Sequence, residues 1–282
     1  MRVATWNLLH GIALTAQDSP PSLAQVASEL KADLIGLQEV DRSQPRSNFE
    51  HQTQIVAVAM ELPHWIFAPA LIGTPGESWE TANDLHVDQN SNANQNSNAN
   101  QLPNDSQPQY GVGLASRYPI ENIKVMRFKA APISLPLLIP GNPKPQVIKV
   151  ADEPRVAIIA DIKTPTGVVT VATTHLSFVP GFNVKQLRQL AKEVALRKNP
   201  ALIFGDFNLP GKISKFVTKW DALASLPTYP TFKPRVQFDH ILASGYSQEI
   251  VTQARNSAQA LALPISDHCA LVVEVPESNT SN

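Results

Sequence analysis

Cysteine is almost absent: Cys269 is the only one in 282 residues. No internal disulfide can therefore form, and a thiolate-rich zinc site is excluded. Its position in the apolar run CALVVEV marks a packed core thiol rather than a nucleophile. Also missing is any apolar stretch of the roughly 18 or more residues that a membrane-spanning helix needs. The opening MRVATWNLLHG reads as a strand and has no basic leader, apolar segment or small-residue cleavage site. A cytoplasmic protein without stable membrane insertion is the expectation. Excess charge of one sign is lacking too, since the net charge is −1, which gives no global attraction to a polyanion. The absence of a basic arm, or of a run of arginines and aromatics, counts against a dedicated duplex-DNA enzyme.

What is present is enough apolar material for a sizeable core, 43% against 17% charged. Residues 2–8 and 34–40 read as strands, and Leu23, Val26, Ala27 and Leu30 repeat at helical spacing between them. Ser22 and Gln25 form a capping box, and Pro20 and Pro21 prevent an earlier start. A second helix is expected at 51–62 and a third around Val184–Val194, with strands at 110–117, 120–128, 155–162 and 167–174. ALIFGD, QFDHILAS and CALVVEV complete the strand set. Short links between some strands and helices between others predict an α/β protein. Its two mixed β-sheets pack face to face with helices outside, as a four-layer sandwich.

No linker divides the chain, so residues 1–276 are expected to form one domain, monomeric, followed by a polar tail at 277–282. The tandem hexapeptide QNSNAN lies within a polar stretch, 73–108, which reads as a disordered insertion. Five prolines in 132–145 predict a loop carrying Leu135, Leu137, Leu138 and Ile139. That loop is expected to fold back on the core, the alternative being a lid or a contact surface for an apolar group.

Several apolar strands end in a polar group: Asn7, Glu39, His175, and Asp206 with Asn208, while Ser266, Asp267 and His268 precede the last strand. Carboxylates beside buried runs are costly unless paired, hydrogen-bonded or bound to a cation. Glu39, Asp267 and the amide oxygens of Asn7 or Asn208 are hard ligands suited to Mg²⁺ or Mn²⁺. Carboxylate, histidine and metal together meet the needs of phosphoester hydrolysis: a positioned water, charge neutralisation and help for the leaving oxygen.

The motifs TWNLLHG, GLQEVD, YGVGLASRYPI, TTHLS, GDFNLP, FDHILAS and SDHCALV resemble, in order and spacing, the endonuclease/exonuclease/phosphatase superfamily of DNase I-like metal-dependent hydrolases. The resemblance spans Arg2 to about Val275, and GDFN with SDH is its most specific part. It implies that Asn7 and Glu39 hold Mg²⁺, with Mn²⁺ as a substitute and Asp267 completing or orienting the shell. It further implies that Asp206 activates or orients the attacking water, Asn208 fixes the phosphate and His175 donates to a non-bridging oxygen. His268 would stabilise the phosphate or transfer a proton, oriented by Asp239. Tyr110 resembles a phosphate-side tyrosine, and Arg155 lies where a basic residue often approaches the site, a surface pair with Asp152 or Glu153 being the alternative. Asp41, His10 and His240 are expected to be structural.

The resemblance fixes chemistry better than substrate. A nuclease or small-molecule phosphoesterase is the first expectation, with nucleic acid a candidate partner, and a lipid or inositol phosphate phosphodiesterase or phosphatase is the alternative. A silent phosphate-binding scaffold and a metal-free glycosidase are weaker readings. From Lys185 to Arg235 there are ten Lys/Arg against three Asp/Glu, while the rest has thirteen against twenty-one. If 212–220 is helical, Lys212, Lys215 and Lys219 share one face, expected as a positive rim for additional substrate phosphates.

Overall fold

The computed structural model describes residues 1–13, 21–90, 107–139 and 146–276. Its elements in chain order begin with β1 (Arg2–Asn7), α1 (Leu23–Ser28), β2 (Leu34–Arg42), α2 (Gln52–Ala59), β3 (His64–Gly73), β4 (Trp79–Thr81) and β5 (Asp88–Asn90). Next come β6 (Gln109–Ser116), β7 (Ile120–Phe128), β8 (Ser134–Ile139), β9 (Gln146–Ala151), β10 (Arg155–Thr164), β11 (Gly167–His175) and α3 (Phe182–Ala195). The chain continues with β12 (Ala201–Asp206), α4 (Ile213–Thr218), β13 (Asp221–Ala222), β14 (Asp239–Ser244), α5 (Gln248–Asn256), β15 (Gln259–Leu261) and β16 (Ala270–Glu274).

The strands form an eight-stranded sheet in the order β15-β16-β1-β2-β6-β3-β4, with β5 also on β3, and a six-stranded sheet in the order β13-β14-β12-β11-β10-β7. Both are mixed: β1 runs parallel to β2 and β11 parallel to β12, while the other ladders are antiparallel. The burial pattern explains the layering. Alternate residues Val3, Ile158, Val171, Leu202 and Leu271 fill the space between the sheets. Ala4, Trp6 and Ile35, pointing the other way, pack beneath Val26 of α1 and Val56 of α2. Ile159, Ala172 and Ile203 meet Leu187 and Leu190 of α3 on the opposite exterior. Period-two strands with both faces covered yield the expected four-layer sandwich.

α1 starts where its capping box dictates, with the Ser22 side chain accepting from Gln25 N and the Gln25 side chain accepting from Ser22 N. Toward the end of the sandwich where β1 stops at Asn7 the sheets come very close. A Cβ on Gly36 would collide with Thr173 Oγ1 and the Phe204 ring. In that gap Thr5 Oγ1 donates to Gln38 Oε1 and Gln38 Nε2 donates to Thr173 Oγ1, both at 3.1 Å, so the buried polar groups there satisfy one another.

Three expectations need correction. Residues 134–139 are not a loop: they form β8, paired antiparallel with β9 through Pro136↔Lys149 and Leu135↔Val150. The ribbon is separate from both large sheets and exposes Ile133, Val147 and Ile148, while Leu135 is half-buried and the burial of Leu137, Leu138 and Ile139 lies outside what is described. Prolines are tolerated because each strand of an isolated pair has an outer edge where no ladder bond is lost. Second, residues 73–90 are structured, with β4 and β5 extending the edge of the large sheet and a 3-10 turn at Asp84–His86. Only Gln89 and Asn90 of the hexapeptide pair fall within the described residues, and the remainder, like the tail at 277–282, lies outside them. Third, α4 spans only six residues. Lys212 caps it, Lys215 lies inside it and Lys219 follows it with φ 63°, so the three lysines do not share a helical face.

Candidate active site

The eight-stranded sheet supplies one half of the site. β1 ends at Asn7, level with Gln38 of the parallel β2. Immediately afterwards the β2–β6 register shifts between Leu37 and Val40, and Glu39 takes φ 51°. This bulge aims the Glu39 side chain at Asn7, whose Nδ2 donates to Glu39 Oε1 at 3.0 Å. Leu9, His10, Asn208 and Ser266 are also non-glycine residues with positive φ, so left-handed backbone concentrates here.

The six-stranded sheet supplies the other half from one transverse rung, because His175 of β11 pairs with Asp206 of β12, which pairs with Asp239 of β14. Beyond β12, Asn208 N donates to Asp206 Oδ1 at 2.9 Å. The Asn208 amide nitrogen lies 3.0 Å from Leu176 O and 3.1 Å from His175 Nε2. Both of its hydrogens are thus engaged, and His175 Nε2 serves as an acceptor, which leaves Nδ1 to carry the ring proton. In this arrangement the Asn208 nitrogen is engaged by the protein itself.

Two bonds join the halves across the sandwich. Asn7 Nδ2 also donates to Asp206 Oδ2 at 3.0 Å. His268 Nδ1 lies 2.8 Å from Asp239 Oδ2, and its Nε2 lies 3.8 Å from Asp206 Oδ2. Ser266 fixes this segment, its Oγ donating to Asn7 O at 2.6 Å and accepting from His268 N at 3.0 Å. The Tyr229 ring packs 4.9 Å from that of His268, and Thr231 N donates to Asp267 O.

Burial and charge separate the titrating groups. Burial alone would depress His268, but the Asp239 carboxylate and its hydrogen bond, with Asp206 and Asp267, hold it up at about 10. His175 behaves oppositely: burial, reinforced by Arg155, lowers it to about 3 despite Asp206. At neutral pH one ring is therefore an imidazolium and the other neutral. Burial raises Glu39 to about 7, with Asp267 and Asp206 adding to the rise against the Asn7 hydrogen bond and His268. Burial also raises Asp267.

Among the described residues, the one ion partner within reach of Glu39 is the His10 imidazole, 3.9 Å away. Burial followed by repulsion from Arg46 lowers that ring to about 3, so it carries no charge at pH 7. Its Nδ1 is buried without a hydrogen-bond partner. A carboxylate set near Asp267 and Asp206, whose nearest ring is neutral and which the His268 imidazolium offsets only in part, fits a hard divalent cation on the Asn7, Glu39 and Asp267 side. Asp206, Asp239 and His268 also offer atoms within 4.8 Å of one another. In the metal-free protein the Asp239 and Asp206 carboxylates hold His268 protonated, so a cation there would have to displace a proton from the ring.

Tyr110 of β6 lies at the margin, its ring 6.0 Å from that of His10. Burial, followed by repulsion from Glu39, raises its hydroxyl well above the usual value. Arg155 is not a surface residue: it is buried, Nη2 lies 3.3 Å from Asp152 Oδ1, and its charge reaches both His175 and Tyr110. Asp41 grips Arg46 through two bonds of 2.7 and 2.8 Å. His240 is bonded to Leu209 O and Ser214 Oγ and stacked on Phe207. Two additions were not foreseen. His10 belongs to the Glu39 pocket, and Arg46 sits with its guanidinium 5.6 Å from the Tyr110 ring centre. An arginine in the loop following the Glu39 strand was the available signal. Lys212, Lys215 and Lys219 are exposed and stand outside this bonded cluster.

No helix of the described residues is long and apolar enough to cross a membrane. Among curated proteins, none matches the sequence significantly. Solved structures share the fold at low identity. An endonuclease/exonuclease/phosphatase from Beutenbergia cavernae is 17% identical, with TM-score 0.56 over 96% of this chain and 70% of that one. A mannosyl-6-phosphatase from Bacteroides thetaiotaomicron is 15% identical, with TM-score 0.53 over 97% and 98%. The beta toxin of Staphylococcus aureus is 12% identical, with TM-score 0.54 over 98% and 99%. The sequence profile of the endonuclease/exonuclease/phosphatase family matches residues 4–268, which contain every member of the cluster from Asn7 to His268, and the chain therefore belongs to that family of phosphoester hydrolases.

Proposed function

We propose that this protein is a Mg²⁺-dependent phosphoesterase, with Mn²⁺ able to substitute, that hydrolyses its substrate by direct attack of water. One observation carries the reading: an unbroken chain of contacts from Asp239 through His268, Asp206 and Asn7 to Glu39, drawn from both sheets. Asn7, Glu39 and Asp267 would hold the cation, which when bound supplies positive charge to the phosphate oxygens and the leaving oxygen.

The remaining steps belong to the side chains. Asp206, fixed by Asn7 and by Asn208 N, orients the attacking water and accepts its proton. The His268 imidazolium, anchored by Asp239, presents its Nε2 hydrogen beside Asp206 and stabilises the negative charge that builds on the phosphoryl oxygens. His175 acts as a neutral donor through Nδ1, and Asn208 is the positioning residue that sets its tautomer. Arg155 and Tyr110 form the buried margin on the His175 side. The first test is hydrolysis of p-nitrophenyl phosphate and bis(p-nitrophenyl) phosphate with Mg²⁺, Mn²⁺ or EDTA. Turnover that persists in EDTA, or that survives in Asp206→Asn, would refute the reading, and the ratio of the two esters separates monoesterase from diesterase.

A further inference from the structure

Four segments leave the six-stranded sheet along the edge that carries His175, Asp206 and Asp239; residues 176–181 run directly into α3, and the other three stand around the site. The β8–β9 ribbon joins the end of β7 to the start of β10, where Phe128 pairs with Arg155. Residues 209–220 follow β12, and residues 229–238 lead into β14. In the sheet order β14-β12-β11-β10-β7, the last two segments stand on one side of His175 and the ribbon on the other, so the three bracket the site.

All three expose large apolar side chains. Val147 is 68% and Phe216 76% exposed, and Phe232 reaches 83%, with Ile133, Ile148 and Ile213 also in solvent. From the other sheet, Ile12 after β1 and Phe49 after β2 are exposed near the same end. The 229–238 segment is not a loose loop: Tyr229 bridges Val236, and Thr231 is bonded to the backbone of Ser266 and Asp267. Phe232 is therefore held out beside the site by a fixed support.

Charge singles out the same three segments. The described residues of these segments, 129–139, 146–151, 209–220 and 229–238, contain seven lysines or arginines and no aspartate or glutamate, against sixteen and twenty-four in the rest of the chain. Apolar residues interleaved with cations alone match a surface that is oily inside and anionic at its face. A second copy of the chain fits poorly, since a two-fold contact would press like charges together. A single-stranded nucleic acid would use Phe216 and Phe232 for stacking, but the aliphatic Ile133, Val147 and Ile148 offer it no ring.

We propose that this edge docks on an anionic phospholipid surface, with the β8–β9 ribbon and Phe232 entering the interfacial layer and the lysines resting on the headgroups. The site between them then faces the headgroup plane. The inference goes beyond the phosphoesterase reading and stands independently of it, because docking needs none of the groups that perform hydrolysis. The full chain is sedimented with vesicles of phosphatidylcholine, with and without phosphatidylserine. Binding should require phosphatidylserine, weaken with added salt and fall about tenfold or more in Val147→Glu/Ile148→Glu, because charging two inserted aliphatic side chains removes their burial. Phe232→Asp, on a different segment, should also weaken binding, and thermal melting of both variants at the wild-type temperature ensures that a loss is not unfolding. Wild-type protein that stays in the supernatant with both vesicles overturns the proposal. So does undiminished binding by both variants, or a wild type that binds a single-stranded oligonucleotide or dimerises through these residues while ignoring vesicles. Asp206→Asn should bind as wild type, and hydrolysis of bis(p-nitrophenyl) phosphate by wild type reads the chemistry separately.

Discussion

At the scale of single residues, two histidines in one pocket have opposite charge states for stated reasons. His268 owes its proton to Asp239, so Asp239→Asn should leave the ring in place but let it deprotonate much nearer neutrality. The alkaline limb of the kcat profile, expected near pH 10 in the wild type, should move toward lower pH. An unshifted limb would remove His268 from the mechanism. Asp206→Asn should lower kcat by about a hundredfold or more with little change in melting temperature, since positioning and proton acceptance are lost together. Glu39 gives a prediction about stability. Its folded pKa of about 7 lies above the ordinary 4.5, so its contribution to the metal-free fold is complete below pH 4.5 and disappears as pH rises through 7. In EDTA the melting temperature should fall over that window, and Glu39→Gln should flatten the fall.

At the scale of elements, what could be read in advance depended on how local the determining forces were. The strand–helix–strand start was legible because Ser22, Gln25 and the apolar repeat are all local signals. The β8–β9 ribbon was not, because five prolines outweigh a pairing that exists only between segments separated along the chain. Likewise Lys212, Lys215 and Lys219 have helical spacing, but α4 stops after six residues when Lys219 turns left-handed. The strand-end residues of the site were legible from the abrupt change from apolar to polar, whereas His10 and Arg46 acquire their places only through turns and a bulge. Gly36 offers a test at this scale. Gly36→Ala should destabilise the protein by about 1–3 kcal/mol in urea unfolding, because the added methyl overpacks the contact with Thr173 and Phe204. Ser22→Ala, which removes a cap at the exterior, should cost about 1 kcal/mol.

At the scale of the whole molecule, cation binding and folding should be linked. Mg²⁺ at a hundred times its dissociation constant is expected to add about 2.7 kcal/mol to stability, if the unfolded chain does not bind it. At one fixed Mg²⁺ concentration the gain should be larger at pH 8 than at pH 5, where protons occupy Glu39 and weaken binding. Calorimetry at the two pH values checks both statements, and equal gains would exclude Glu39 as a ligand.

Asn7 and Glu39 belong to one sheet, with Asp267 and His268 in the segment that leads into its strand β16, while His175, Asp206 and Asp239 belong to the other sheet. The reacting groups are thus opposing jaws, and the hydrocarbon between them works as the shim that sets their gap. A methyl removed at Ile158, deep in that filling and in contact with no reacting atom, would let the jaws settle toward each other and detune the chemistry from a distance. Evolution can in this way adjust the rate from inside the sandwich while leaving every polar residue of the site untouched.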